Sequence, residues 1–225
     1  MQQFELSNYE KLVIKRKIKR KKTIRVIVIF IVVISILLTG LLGFSIINGF
    51  FGLFSSEPNL KSLEAPDYVD VKLINIGIAR TGVKLVEVNS IVIHYTGNPG
   101  STAQNNRDYF NKPTTDVCSH FVIGLDGEII QCVPLDEKSA ASNNRNLDTI
   151  SIEVCHPDSS GKFNDSTYYS LVKLTAWLCD NSDLKAKDVI RHYDITGKEC
   201  PKYFVDNEFE WENFISDVND ELKKY

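Results

Sequence analysis

His120-Phe121-Val122-Ile123-Gly124-Leu125-Asp126-Gly127-Glu128-Ile129-Ile130-Gln131-Cys132-Val133 holds two short apolar runs on either side of Asp126-Gly127. Both turn residues tolerate positive φ, so the stretch predicts a β-hairpin with strands at His120–Ile123 and Glu128–Val133. Four more apolar runs suit buried strands: Val69–Ile76, Ile91–His94, Ile150–Val154 and Val189–Arg191. Helical spacing lies between them. Ser101 or Thr102 is placed to cap a helix through Phe110. Asp165–Asp180 puts Tyr168, Leu171, Val172, Thr175, Leu178 and Cys179 on one face, and Trp211, Phe214, Ile215, Val218 and Leu222 repeat the spacing near the C-terminus. These stripes read as core faces. Strands interleaved with helices predict an α/β fold, a central mixed β-sheet flanked by helices, over residues 69–225.

The chain outside that region differs in character. Of 225 residues, 43% are hydrophobic and 24% charged, which excludes a disordered or collagen-like chain. Residues 1–25 hold nine Lys/Arg and two Glu, so a formal net charge of −3 conceals +7 there and −10 in the remainder. An acidic remainder argues against nucleic acid as a partner. Val26 to Ile47 is 22 residues without a charge, 17 of them Val, Ile, Leu or Phe. At 1.5 Å per residue such a helix is about 33 Å long, enough for a bilayer core. The positive-inside rule then makes 1–25 a cytoplasmic segment, 26–47 a single-pass signal anchor and the rest extracytoplasmic. A cleaved signal peptide would end in small residues, whereas Phe50, Phe51, Leu53 and Phe54 follow here. Residues 48–68, with Pro58 and Pro66, read as a linker.

Two of the four histidines stand in parallel contexts. His94 ends the run Ile91-Val92-Ile93 and His192 ends Val189-Ile190-Arg191, so each sits where a buried strand gives way to a loop. Eight residues after His192, past Thr196-Gly197, comes Cys200. Two neutral imidazoles and a thiolate suit Zn²⁺, and three ligands leave the fourth tetrahedral position open, as in catalytic sites. Taken singly, each histidine reads as a packed or surface residue, and it is the two parallel contexts together that raise the ligand reading to equal weight. The spacing His-x₇-Cys is no standard metal signature.

Four stretches resemble the type 2 zinc amidases, which include N-acetylmuramoyl-L-alanine amidases, phage endolysins and peptidoglycan recognition proteins. They are Ile91–Gly97 (IVIHYTG), Ser119–Gly127 (SHFVIGLDG), Ile150–Cys155 (ISIEVC) and Arg191–Pro201 (RHYDITGKECP), in family order. The resemblance implies a sheet flanked by helices, with zinc held by His94, His192 and Cys200. It implies hydrolysis of the amide between the muramic acid lactyl group and L-alanine of the peptidoglycan stem peptide. In that scheme Glu153 shuttles the proton and Lys198 stabilises the oxyanion and favours the Cys200 thiolate. Without the resemblance Glu153 reads as a strand-edge surface carboxylate. Some relatives carry a catalytic Tyr before the strand histidine, where this chain has Ser119. A non-catalytic peptidoglycan-binding receptor is the alternative, and a zinc peptidase acting within stem peptides a third.

Other polar residues carry weaker expectations. His120 reads as packed or orienting, and His156 as a loop residue near the cleft. Asn98, Asn143, Asn144 and Arg145 are candidate sugar or peptide contacts, or merely solvated. Cys118, Cys132, Cys155 and Cys179 could form two disulfides in three connectivities, or be buried thiols.

Overall fold

The computed structural model describes residues 8–38 and 58–225, which fall into two compact units divided between Glu57 and Pro58. In the first unit, helix α1 (Asn8–Leu38) runs without interruption from the basic segment into the apolar one. Among the described residues no helix is long and apolar enough to cross a membrane. The expected anchor contributes Val26–Leu38 to α1, while its remaining residues, 39–47, lie outside the described residues.

The second unit is built on a six-stranded mixed sheet. Its strands are β1 (Val69–Val71), β2 (Ser90–Tyr95), β3 (Phe121–Ile123), β4 (Ile129–Gln131), β5 (Thr149–Val154) and β6 (Val189–Arg191), in the order β1-β4-β3-β5-β2-β6. Only β3 and β4 pair antiparallel, across the Asp126-Gly127 turn. Gly127 takes φ 82 there, and a Cβ on it would meet Ser166 O and Ser170 Oγ at 2.9 Å. Glycine is therefore required for both conformation and space. The first predicted strand is shorter than expected, although Lys72 and Ile74 still donate to Gln131 O and Cys132 O beyond its end.

Strand alternation splits the core in two. Ile91 and Ile93 of β2, Ile150, Ile152 and Val154 of β5, and Phe121 and Ile123 of β3 face helices α3 (Asp165–Asn181) and α6 (Glu208–Leu222). Phe204, in the short helix α5 (Lys202–Asp206), stacks on Phe214 at 5.2 Å and meets Trp211 at 5.6 Å. On the other face Val122, Ile130, Cys132 and Cys155 pack with Ala103 and Phe110 of helix α2 (Ala103–Phe110). Thr102, not Ser101, caps α2 by accepting from Asn105 N–H at 3.1 Å.

Residues 58–68, expected to belong to the linker, lie on the domain instead. Asn59 accepts from Val88 N–H at 2.7 Å and donates to Val88 O and Ser182 O at 3.1 and 2.7 Å. Ser62 and Asn181 exchange two further bonds, and Leu60 and Ala65 pack against the core. An Asn side chain that pairs both backbone groups of one residue imitates a strand edge. Proline and polar composition does not distinguish such a strap from a free tether. Residues 48–57 of the expected linker lie outside the described residues.

The five cysteines are free thiols and all are buried. Of the two alternatives for Cys118, Cys132, Cys155 and Cys179, the structure has the buried thiols.

Candidate metal centre

The parallel register of β2 and β5 sets His94 directly beside Glu153. Because alternate residues of both strands fill the α3/α6 core, these two side chains share the opposite face. β6 lies on the other side of β2, and His192 follows its last residue as the first residue of helix α4 (His192–Thr196). Gly197, at φ 75, ends α4 in the left-handed conformation and turns the chain back. Cys200 thereby returns to His192, and Tyr193 N–H donates to Cys200 O at 2.9 Å.

Arg191 secures this corner from the core side. Its guanidinium donates to Asp194 Oδ1 at 3.0 Å, Glu208 Oε2 at 2.6 Å and Phe204 O at 3.0 Å, and lies 5.2 Å from the Trp211 ring. One side chain thus ties α4, which carries His192, to α5 and α6, which follow Cys200.

His94, His192 and Cys200 are buried, with one potential ligand atom from each lying within 4.8 Å of the others. The two imidazole centroids are 4.6 Å apart, and Cys200 Sγ is 3.8 Å from His94 Nδ1. Ordinary Zn–S and Zn–N lengths give a tetrahedral edge of about 3.6 Å, close to that separation. His94 Nε2, His192 Nδ1 and Glu153 Oε2 are enclosed without a hydrogen-bond partner. Buried polar atoms of this kind call for a partner such as a water or an ion. The donor set fits a zinc ion.

Electrostatics set the imidazoles and the thiol apart. Burial holds His94 well below its usual pKa, with further lowering by His192 and Lys198, and burial brings His192 down to about 4. Both rings are therefore neutral at pH 7, the form that binds metals. Burial pushes Glu153 up to about 8, against the opposing charge of Lys198. Lys198 is exposed, yet its charge acts on all four of these groups. It does favour the Cys200 thiolate, but burial and Glu153 outweigh it, and the thiol stands at about 12. Ionisation of Cys200 therefore needs a charge closer than Lys198, such as a bound cation.

The remaining polar residues separate clearly. Ser119 is buried and donates to Phe121 O at 2.7 Å. Arg145 is engaged by Asp148 at 2.9 Å rather than left as an open contact. His156 bonds Asp158 O through Nδ1 at 2.7 Å and lies against the Tyr95 ring at 5.1 Å. Asn143 Oδ1 lies 2.7 Å from His192 Nε2, a contact that sequence reasoning missed. A polar loop between two strands carries no periodic signal that singles out one residue.

His120 is structural. Ser151 N–H donates to its Nδ1 at 3.0 Å, so its proton lies on Nε2, which donates to Glu137 O at 2.8 Å. Burial lowers its pKa to about 4. Above pH 6.5 it is neutral in both folded and unfolded chains. As pH falls towards 4 the unfolded chain binds the proton first, and roughly 2–3 kcal/mol of stability is lost. Urea unfolding at pH 7 and 4.5 is expected to show His120→Gln losing correspondingly less stability on acidification. An unchanged acid response in that variant would rule His120 out as its source.

Fold and site together define a mixed-sheet α/β protein with a three-residue candidate metal centre beside an enclosed carboxylate. The chain belongs to the Amidase_2 family, described as N-acetylmuramoyl-L-alanine amidase, whose model matches residues 84–203. N-acetylmuramoyl-L-alanine amidase CwlL of Bacillus licheniformis is 31% identical over 158 residues, covering 62% of this chain and 43% of CwlL. BlyA of Bacillus subtilis (strain 168), an amidase of the same name, is 31% identical over 160 residues with the same coverage. This chain thus spans less than half the length of these two relatives. A mutant endolysin from Bacillus subtilis matches with a TM-score of 0.59 and 26% identity, over 67% of this chain and 97% of that one. The catalytic domain of XlyA matches with a TM-score of 0.59 and 25% identity, over 67% and 98%.

Proposed function

We propose that this chain is a membrane-anchored, zinc-dependent N-acetylmuramoyl-L-alanine amidase acting on peptidoglycan outside the cytoplasm. The observation that carries the reading is the meeting of His94, His192 and Cys200 with Glu153 beside His94 in the sheet register. Those three residues would hold the zinc, which supplies Lewis acidity towards the scissile carbonyl and lowers the pKa of water. Glu153 takes the proton from the attacking water and returns it to the leaving L-alanine amine. Its place beside His94 in the sheet register, with an enclosed and unpartnered Oε2, suits a group that passes a proton between the two steps. Lys198, exposed and with its charge acting on His94, Glu153, His192 and Cys200, would offset negative charge developing on the carbonyl oxygen. Family membership supports the lactyl–L-alanine amide as the bond cut.

The anchor rests on the 22-residue apolar run and the nine basic residues before it, with α1 continuous from the basic segment to Leu38. Retention of the full chain in membranes after alkaline extraction is expected, and its release would remove the anchor from the proposal.

Digestion of purified peptidoglycan tests the activity. The protein is expected to release intact stem peptides bearing a new L-alanine amino terminus, detected by mass spectrometry, and a zinc chelator should abolish release. Cleavage within the stem peptide would replace the amidase by a peptidase. Bound zinc and peptidoglycan binding without cleavage would replace it by a receptor.

A further inference from the structure

Asn143 has φ 51, in the left-handed region that side chains other than Asn, Asp and Gly seldom enter. It opens the 3₁₀ turn Asn143–Arg145, in the loop leading into β5. That loop is held from several sides. Asn146 Oδ1 accepts from Ala141 and Ser142 N–H at 3.2 and 2.7 Å. Arg145 reaches Asp148 at 2.9 Å, and Thr149 Oγ1, at the start of β5, donates to Arg145 O at 2.8 Å. The strand that carries Glu153 therefore also fixes the loop that carries Asn143.

From this position Asn143 Oδ1 lies 2.7 Å from His192 Nε2. An amide oxygen only accepts, so His192 donates from Nε2 and keeps its lone pair on Nδ1. That Nδ1 is the enclosed, unpartnered nitrogen of His192. We infer that Asn143 is a positioning residue that holds His192 in the tautomer and ring orientation turning Nδ1 towards the metal. The inference rests on the reading of His94, His192 and Cys200 as zinc ligands. It gives the unusual backbone a purpose, since local strain of this kind persists where surrounding structure enforces it and concentrates at functional sites.

Two substitutions separate the hydrogen bond from the backbone. Asn143→Gly adopts φ 51 without strain and removes the acceptor, while Asn143→Asp tolerates the same backbone and keeps an acceptor oxygen. Zinc affinity, measured on the full chain by competition with a chromophoric chelator, is expected to fall roughly 10–100-fold in Asn143→Gly, the usual cost of losing a bond that orients a metal-binding histidine. Asn143→Asp should bind zinc as tightly as the wild type. The Co²⁺-substituted Asn143→Gly protein should show altered visible absorption bands, although the thermal unfolding of all three metal-free proteins is alike. Wild-type zinc affinity and an unchanged cobalt spectrum in Asn143→Gly would overturn the inference and leave the metal site standing. Absence of zinc binding by the wild type would overturn the metal site itself, and the inference with it.

Discussion

Glu153→Gln is expected to lower the rate of stem-peptide release by about 10²–10⁴-fold, the usual contribution of a positioned acid–base group, with zinc content unchanged. Gln keeps the shape of Glu but cannot accept and return a proton. Glu153 has no ion-pair or hydrogen-bond partner on its enclosed Oε2, so the change breaks no structural contact there. The effect should fall on turnover rather than on folding. The measurement is release rate at saturating peptidoglycan, with metal analysis of the same samples. Near-wild-type release would remove Glu153 from the chemistry.

Cys200→Ser is expected to be as damaging by a different route. Sγ lies 3.8 Å from His94 Nδ1 in a buried pocket. A hydroxyl there offers a poor replacement for a thiolate. Loss of a ligand should exceed the roughly 10–100-fold that loss of a supporting hydrogen bond costs. Zinc should therefore be stripped from Cys200→Ser by dialysis against a chelator that leaves the wild type loaded, and hydrolysis should disappear in step. Retention of stoichiometric zinc by the variant would take Cys200 out of the ligand set.

Those two residues mark different degrees of legibility in the sequence. All six strands follow from apolar runs, because β-branched runs between turn residues have few other uses in a domain of this size. The hairpin follows from Asp126-Gly127, and the core faces of α3 and α6 from their spacing. The two histidines were visible as candidates by their positions at strand ends, and Cys200 by following His192 past the Thr196-Gly197 turn. Their convergence was carried by the resemblance rather than by local pattern, since it depends on β6 pairing beside β2 and on the left-handed turn at Gly197. Glu153 beside His94 likewise requires the β2–β5 register, which no local pattern encodes. Long-range polar contacts were least legible. Asn59 on Val88 and Asn143 on His192 join residues 29 and 49 positions apart. Asparagine in a loop looks the same whether it faces solvent or a partner.

The unbridged cysteines give the molecule a means of reporting its own opening. Burial pushes the thiols of Cys118, Cys155 and Cys179 up to about 12. Attack by a thiolate needs both deprotonation and access, so a thiol-selective probe reacts only while the packing around its target is breached. Cys118, Cys132 and Cys155 sit beneath the α2 side of the sheet and Cys179 beneath the α3/α6 side. Labelling followed by peptide mapping would time the two layers separately in the unmodified chain. It would show which side of the sheet yields first and whether a substitution in one layer is felt in the other.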